Sequence, residues 1–190
     1  MALFVNGLAV ATLELKNPWT GQNVQNAVRQ YRTDRDPKEP LFEFGRCLVH
    51  FAVDPDEAFM CAQLAGNDSN FLPFNKGFNY GKGNPVNPNG HKTAYLWLDI
   101  LPRRSLTNII EQFAKFTVEK DKKTGKERKA LFFPRYHQLD VVRGILVDAQ
   151  QKGVGQTYLI QHSAGSGKSN SITWLAYQLV EQYDTTGTAN

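Results

Sequence analysis

The sequence has only two cysteines in 190 residues, Cys47 and Cys61. A fold stapled by several disulfides is excluded, and two free thiols within apolar runs fit a reducing compartment. Long apolar runs are missing as well. None approaches the roughly 20 residues that a helix needs to cross a bilayer, so no membrane partner is expected. The opening segment, Met1 to Leu13, has the hydrophobicity of a secretory leader. It lacks a basic start, and Asn6-Gly7 breaks it, so it reads as folded structure. There is little excess charge of either sign. A formal net charge of +4 permits a polyanionic partner without demanding one. What the chain does have is core material: 41% of its residues are hydrophobic, in a length that suits one domain or a domain and a part.

The most informative stretch is 157–182. Thr157-Tyr-Leu-Ile-Gln161 is a short apolar run suited to a buried strand. His162-Ser-Ala-Gly-Ser-Gly-Lys-Ser169 follows. Then Ile172, Leu175, Ala176, Leu179 and Val180 recur at the spacing of one helix face. Strand, glycine-rich turn, Lys-Ser and helix form the context of a phosphate-binding loop. Glycines let backbone N–H groups turn around an anion, and a helix N-terminus adds unpaired donors. In that reading Gly165, Ser166 and Gly167 cradle phosphate, Lys168 supplies the cation, and Ser169 offers its hydroxyl to Mg²⁺. The full motif has glycine where this chain has His162.

Toward the amino end, Ala2–Val5 and Leu8–Lys16 flank Asn6-Gly7, a hairpin signal. Alternation puts Val10, Thr12, Glu14 and Lys16 on one face, so Glu14 and Lys16 project side by side. A carboxylate beside an amine is half of a metal-dependent nuclease constellation: Glu14 for Mg²⁺, and Lys16 to orient or polarise water. On its own, Glu-x-Lys reads equally as a solvated sheet edge. A helix is expected over Gly21 to Arg32, with Val24, Ala27, Val28 and Tyr31 apolar and Gln25 and Gln30 polar. Cys47–Val53 and Ala58–Leu64 read as strands, with His50 a hydrogen-bonded core histidine. Residues 66–90 are too rich in Gly, Asn and Pro for regular structure. Phe71, Phe74, Phe78 and Tyr80 are expected to pin that loop, with Lys76 and Lys82 available to phosphate. Tyr95–Leu98 reads as a short strand, and Ser105 as the cap of a helix carrying Leu106, Ile109, Ile110, Phe113 and Phe116. The charged segment 119–129 reads as a linker. After Pro134 a further helix carries Leu139, Val142, Ile145, Leu146 and Ala149.

Taken in order, Leu3-Phe-Val-Asn-Gly-Leu8 with Glu14-Leu-Lys16, Gln25-Asn-Ala-Val-Arg-Gln-Tyr31, Val49-His-Phe-Ala-Val-Asp54, Phe71-Leu-Pro-Phe-Asn-Lys-Gly77, Phe133-Pro-Arg-Tyr-His-Gln138 and the 162–169 loop resemble the restriction (motor) subunit of type I restriction-modification enzymes. The resemblance implies an α/β chain: a PD-(D/E)xK nuclease with a mixed sheet over 1–118, a linker over 119–129, and the start of a RecA-like, P-loop motor over 130–190. It implies Glu14 and Lys16 as nuclease residues. Tyr31 is the tyrosine of a Gln-x-x-x-Tyr helix motif whose glutamine position holds Ala27, leaving Gln25 or Gln30 to serve. Gln138 becomes the adenine-reading glutamine. ATP and Mg²⁺ are the implied cofactors. Double-stranded DNA and the methyltransferase and specificity subunits are the implied partners, in a bacterial or archaeal cytoplasm. The family's nuclease Asp lies fourteen residues before its Glu, upstream of Met1, and its later motor motifs lie beyond Asn190. The expectation is therefore a piece of a larger subunit. The rival expectation is a truncated, non-catalytic subunit that only docks onto its partners.

Overall fold

The computed structural model describes residues 1–120, 125 and 127–186. It divides into two units, Met1–Phe133 and Pro134–Asn190.

The first unit is built on a five-stranded sheet in the order β1-β2-β3-β4-β5. Strands β1 (Ala2–Val5) and β2 (Leu8–Leu15) form the expected hairpin. Asn6 and Gly7 both have positive φ, 50° and 80°, the geometry that Asn-Gly supplies to a two-residue turn. The register starts with Phe4 opposite Ala9 and then slips at a bulge that leaves Leu3 opposite Ala11. The extra residue is Val10, whose carbonyl accepts instead from the Leu48 amide at 2.9 Å. Met1 consequently pairs with Leu13 through two main-chain bonds of 2.8 and 2.9 Å.

Strand β3 (Val49–Val53) lies parallel to β2, with Thr12 beside His50 and Glu14 beside Ala52. All five of its residues are buried, as a central strand covered on both faces requires. Strands β4 (Ala58–Cys61) and β5 (Leu72–Pro73) complete the sheet antiparallel, and Pro73 takes an edge, where its missing N–H costs no ladder bond.

The parallel pair needs a crossover, and helix α1 (Val24–Thr33) supplies it. It begins three residues later than Gly21 because Asn17–Gly21 is consumed by a tight turn and Asn23 is the cap, accepting from the amides of Gln25 and Asn26. Val24, Ala27, Val28 and Tyr31 are buried, as their spacing predicts, against Phe42, Ala52, Cys61, Leu64 and Phe71. On the sheet's other face Phe51 meets Phe74 and Phe133 edge-on, with centroids 5.1 and 6.0 Å apart. Both cysteines are free and buried.

The 66–90 loop is held less by its aromatics than by Asn84. That buried side chain accepts from the Lys76 amide and donates to Asp56 O and Asn75 Oδ1, at 2.8 to 2.9 Å. Phe71 and Phe74 are buried as expected, but Phe78 and Tyr80 are exposed. Residues Leu96–Ile100 form a single wide helical turn where a strand was expected, closed by Leu101 N on Leu96 O at 2.8 Å. With Leu96 and Ile100 buried and the residues between them exposed, the run has helical rather than alternating burial. Helix α2 (Arg103–Gln112) ends sooner than expected, and Phe116 lies instead on β6 (Lys115–Lys120), which pairs antiparallel with β7 (Glu127–Phe132). The expected linker 119–129 thus carries the facing ends of a two-stranded ribbon, with Lys120 opposite Glu127; its residues 121–124 and 126 lie outside the described residues. A charged sequence suits an exposed ribbon as well as a linker.

The second unit contains α3 (Tyr136–Lys152) and α4 (Lys168–Thr186), packed on each other. Leu139, Val142, Ile145 and Ala149 of α3 are buried as predicted. The expected strand at Thr157–Gln161 is not formed, since the described residues of this unit provide no strand to pair with it; Leu159 is 96% exposed. The buried face of α4 is also not the expected one. Ser171, Trp174 and Gln178 are buried, while Ile172 and Val180 are exposed, because the packing partner of α4 is chiefly α3 among the described residues.

Candidate functional site

The alternation of β2 turns Thr12, Glu14 and Lys16 toward α1, and each meets a partner from that helix or the loop after it. Lys16 Nζ donates to Gln30 Oε1 at 2.6 Å. Arg35 donates through Nε and Nη2 to a single oxygen, Glu14 Oε1, at 2.8 and 2.6 Å. The hydroxyls of Thr12 and Tyr31 share a hydrogen bond of 2.8 Å, and Thr12 Oγ1 lies 2.7 Å from His50 Nδ1. Four of the residues singled out in this half of the chain, Glu14, Lys16, Gln30 and Tyr31, are thereby brought to one face. Gln25 is not: it is exposed on the far side of the helix. Of the two candidate glutamines, Gln30 is the one at the site.

Burial sets the electrostatics. Tyr31 is completely buried, and desolvation raises its phenol far above the ordinary range, so it stays protonated. His50 is equally enclosed, and burial lowers its imidazole to about 4. It is the hydrogen-bonded core histidine that its apolar strand implied. Arg35 is pushed up from its ordinary value mainly by its hydrogen bond to Glu14.

Two residues escaped the sequence reading. Arg35 was hidden in a charged loop; the available signal was that a half-buried Glu14 needs a counter-charge. Asp54 was given no role of its own. Its Oδ2 accepts the first amide of α1, Val24 N, at 2.7 Å, and its Oδ1 accepts from Asp56 and Glu57 amides at 2.8 and 2.7 Å. One carboxylate ties the end of β3 to the start of the crossover helix and so fixes α1 over Glu14 and Lys16.

A phosphodiester-cleaving Mg²⁺ requires an octahedral shell of oxygens, usually with more than one carboxylate or with substrate phosphate. Glu14 alone does not fit that requirement. Its Oε1 is occupied by Arg35, and no group of three metal-ligating side chains occurs among the described residues.

In the second unit Gly165 and Gly167 both take left-handed backbone, φ 71° and 82°, and α4 starts at Lys168. Lys168 Nζ folds back to the carbonyls of His162 and Ser163, at 3.2 and 2.9 Å. Ser169 is exposed on the first turn of α4, while Ser166 is buried and its carbonyl lies 3.0 Å from His137 Nε2. Gln138 is buried and committed at both ends: Oε1 accepts from Arg135 N and Nε2 donates to Gly167 O, each at 2.9 Å. Its observed duty is to cap α3 and anchor the loop, and an adenine would have to displace one of those bonds. These residues fit a phosphate in kind, since left-handed glycines, a lysine ammonium and a helix start converge there.

The first unit, a mixed sheet presenting a carboxylate and an amine from the end of an internal strand, is compatible with a nuclease domain. Residues 1–69 match the family of type I restriction enzyme R protein N termini. Over 94% of its length the chain is 25% identical to the type I restriction enzyme HindI endonuclease subunit of Haemophilus influenzae, of which it spans 17%. The similarity to type I restriction subunits first seen in the motifs is thus found twice over. No solved structure matches the chain. No helix among the described residues is long and apolar enough to cross a membrane.

Proposed function

We propose that this chain is part of an ATP-driven type I restriction subunit that cleaves double-stranded DNA, with Glu14 and Lys16 in its nuclease site and residues 162–169 in its motor. The observation that carries this reading is the convergence of Glu14, Lys16, Gln30 and Tyr31 on one face, within the segment that matches the family. Lys16 is held by Gln30 at the end of β2, where its ammonium can neutralise charge that develops on a phosphate under attack. Tyr31 fixes the strand from below through Thr12 and exchanges no proton at neutral pH. Glu14 would contribute one carboxylate oxygen to an Mg²⁺ ion, which would supply a Lewis acid and an activated water, and a further carboxylate would be needed to complete its shell. In the motor, Gly165, Ser166, Gly167 and Lys168 would hold the phosphates of ATP, Ser169 would face its metal, and Gln138 would reach the base. The proposed partners are duplex DNA and the methyltransferase and specificity subunits, in the cytoplasm of a prokaryote.

One observation favours the rival, a docking subunit without chemistry: both Glu14 and Lys16 already have protein partners. Cleavage of circular duplex DNA by the assembled complex separates the two. Lys16→Ala should abolish cleavage and leave assembly intact; cleavage at the wild-type rate would favour the docking role.

A further inference from the structure

Beside Lys16, at the carboxyl ends of the parallel strands β2 and β3, lies an open cleft of about 400 Å³. Carboxyl ends of parallel strands are a recurrent place for ligands. The chemistry of this cleft is specific. Trp19 and Trp97 line it together with His91, Thr93, Lys16 and Asp54. Trp19 is 93% exposed and Trp97 40% exposed, so neither indole is serving the core. Their positions are nevertheless built. Trp19 sits in the tight turn Pro18–Thr20, whose cap Asn17 accepts from the Trp19 amide at 2.9 Å and whose close is Gly21 N on Pro18 O at 2.9 Å. Trp97 is turned outward by the wide helical turn that buries Leu96 and Ile100. Wide turns of this kind are frequent at functional sites.

Two charged side chains line the cleft, Lys16 and Asp54. The Asp54 oxygens are held by three backbone amides, on Oδ1 and Oδ2. Thr93 Oγ1 is spent on Asp54 O at 2.7 Å, so the aromatic rings and the Lys16 ammonium are the chief groups open to a ligand. Flat aromatic faces next to a single cation suit a nucleobase joined to a phosphate. A base stacked within a duplex has no free face to offer an indole, whereas an unstacked base has two.

We propose that this cleft is a subsite for an unpaired nucleotide of a DNA strand: the base stacks on Trp19 or Trp97, and its phosphate lies toward Lys16. The proposal deepens the nuclease reading and rests on it for the identity of the polymer. It adds that the strand is opened locally where it meets the site.

The test uses the full chain in EDTA, with a fluorescent oligothymidylate and a duplex of equal length as probes. Anisotropy should show tighter binding of the single strand, with quenching of tryptophan emission. Trp19→Ala or Trp97→Ala, whichever removes the stacking ring, should weaken single-strand binding about five- to a hundredfold, the usual worth of one stacked base, and phenylalanine at that position should recover most of the loss. Trp19 is exposed and contributes nothing to the core, and circular dichroism of each variant checks folding. Single-strand binding unchanged in both alanine variants, or no tighter than duplex binding, overturns the subsite. Glu14→Gln separates the two ideas. If it cleaves DNA normally while Trp19→Ala still weakens binding, the nuclease assignment fails and the subsite stands. If it abolishes cleavage while both tryptophan variants bind normally, the subsite fails and the nuclease assignment stands.

Discussion

The stability of the first unit should fall as pH drops from 6.5 toward 4, and His50 should be the main cause. Its imidazole is buried between β2, α1 and Phe42, with Thr12 Oγ1 on Nδ1 at 2.7 Å and the rings of Tyr31 and Phe42 at 5.8 and 6.1 Å. Burial lowers it from 6.5 to about 4. In the unfolded chain it titrates near its ordinary value. Between those two values the unfolded state binds the extra proton and the folded state refuses it, so stability rises with pH across this window and is lost on acidification. At 1.36 kcal/mol per pH unit, the full window is worth about 3 kcal/mol, a large share of a typical domain's stability. Urea titrations at pH 7, 6, 5 and 4.5, followed by circular dichroism, measure it. His50→Gln will be less stable at neutral pH, but its dependence between pH 6.5 and 4.5 should be flatter by about 2 kcal/mol. Parallel curves for the two proteins would refute the assignment and place the acid sensitivity in the carboxylates.

Three further substitutions probe the architecture. Gly167→Ala should destabilise the second unit by about 1–2 kcal/mol or more, because a Cβ there would lie 2.5 Å from Gln138 Nε2 at a φ of +82°; chemical denaturation followed through the buried Trp174 reads it. Arg35→Ala should cost about 1 kcal/mol at low salt and less at high salt, since the Arg35 side chain is about one-third exposed. Arg35→Lys should not restore the loss, because two guanidinium nitrogens converge on one Glu14 oxygen. Asn84→Ala should cost about 2–3 kcal/mol and open the 66–90 loop to proteolysis, as it strands the Lys76 amide and the Asp56 carbonyl; protease sensitivity equal to wild type would show that the loop is held elsewhere.

Periodicity carried most of what could be read without coordinates. The 3.6-residue spacing of Val24, Ala27, Val28 and Tyr31 located α1 and its buried face, and alternation along β2 put Thr12, Glu14 and Lys16 on the side where α1 packs. These patterns are written in the local sequence, whatever partners cover them. Several failures depended instead on which distant partner a residue meets. Whether β2 and β1 keep register depends on a bulge at Val10 set by Leu48, thirty-eight residues away, and Asp54 and Arg35 act on partners thirty and twenty-one residues distant. The outward face of α4 was misassigned because apolar spacing names a stripe without naming what covers it. The segment 119–129 was read from charge alone, and charge does not separate a linker from an exposed ribbon whose strands pair through their backbones.

Glu14 is proposed to belong to a DNA-cleaving site, and the 162–169 loop to drive a separate, ATP-dependent step. The most direct measurement is the ratio of duplex cleavage to ATP hydrolysis in the assembled complex carrying Glu14→Gln, with Lys168→Ala as the reciprocal variant. Glu14→Gln should remove cleavage and leave ATP hydrolysis near the wild-type rate, whereas Lys168→Ala should remove both. Cleavage that persists at the wild-type rate in Glu14→Gln, with the complex assembled and hydrolysing ATP, would remove Glu14 from the cleavage site.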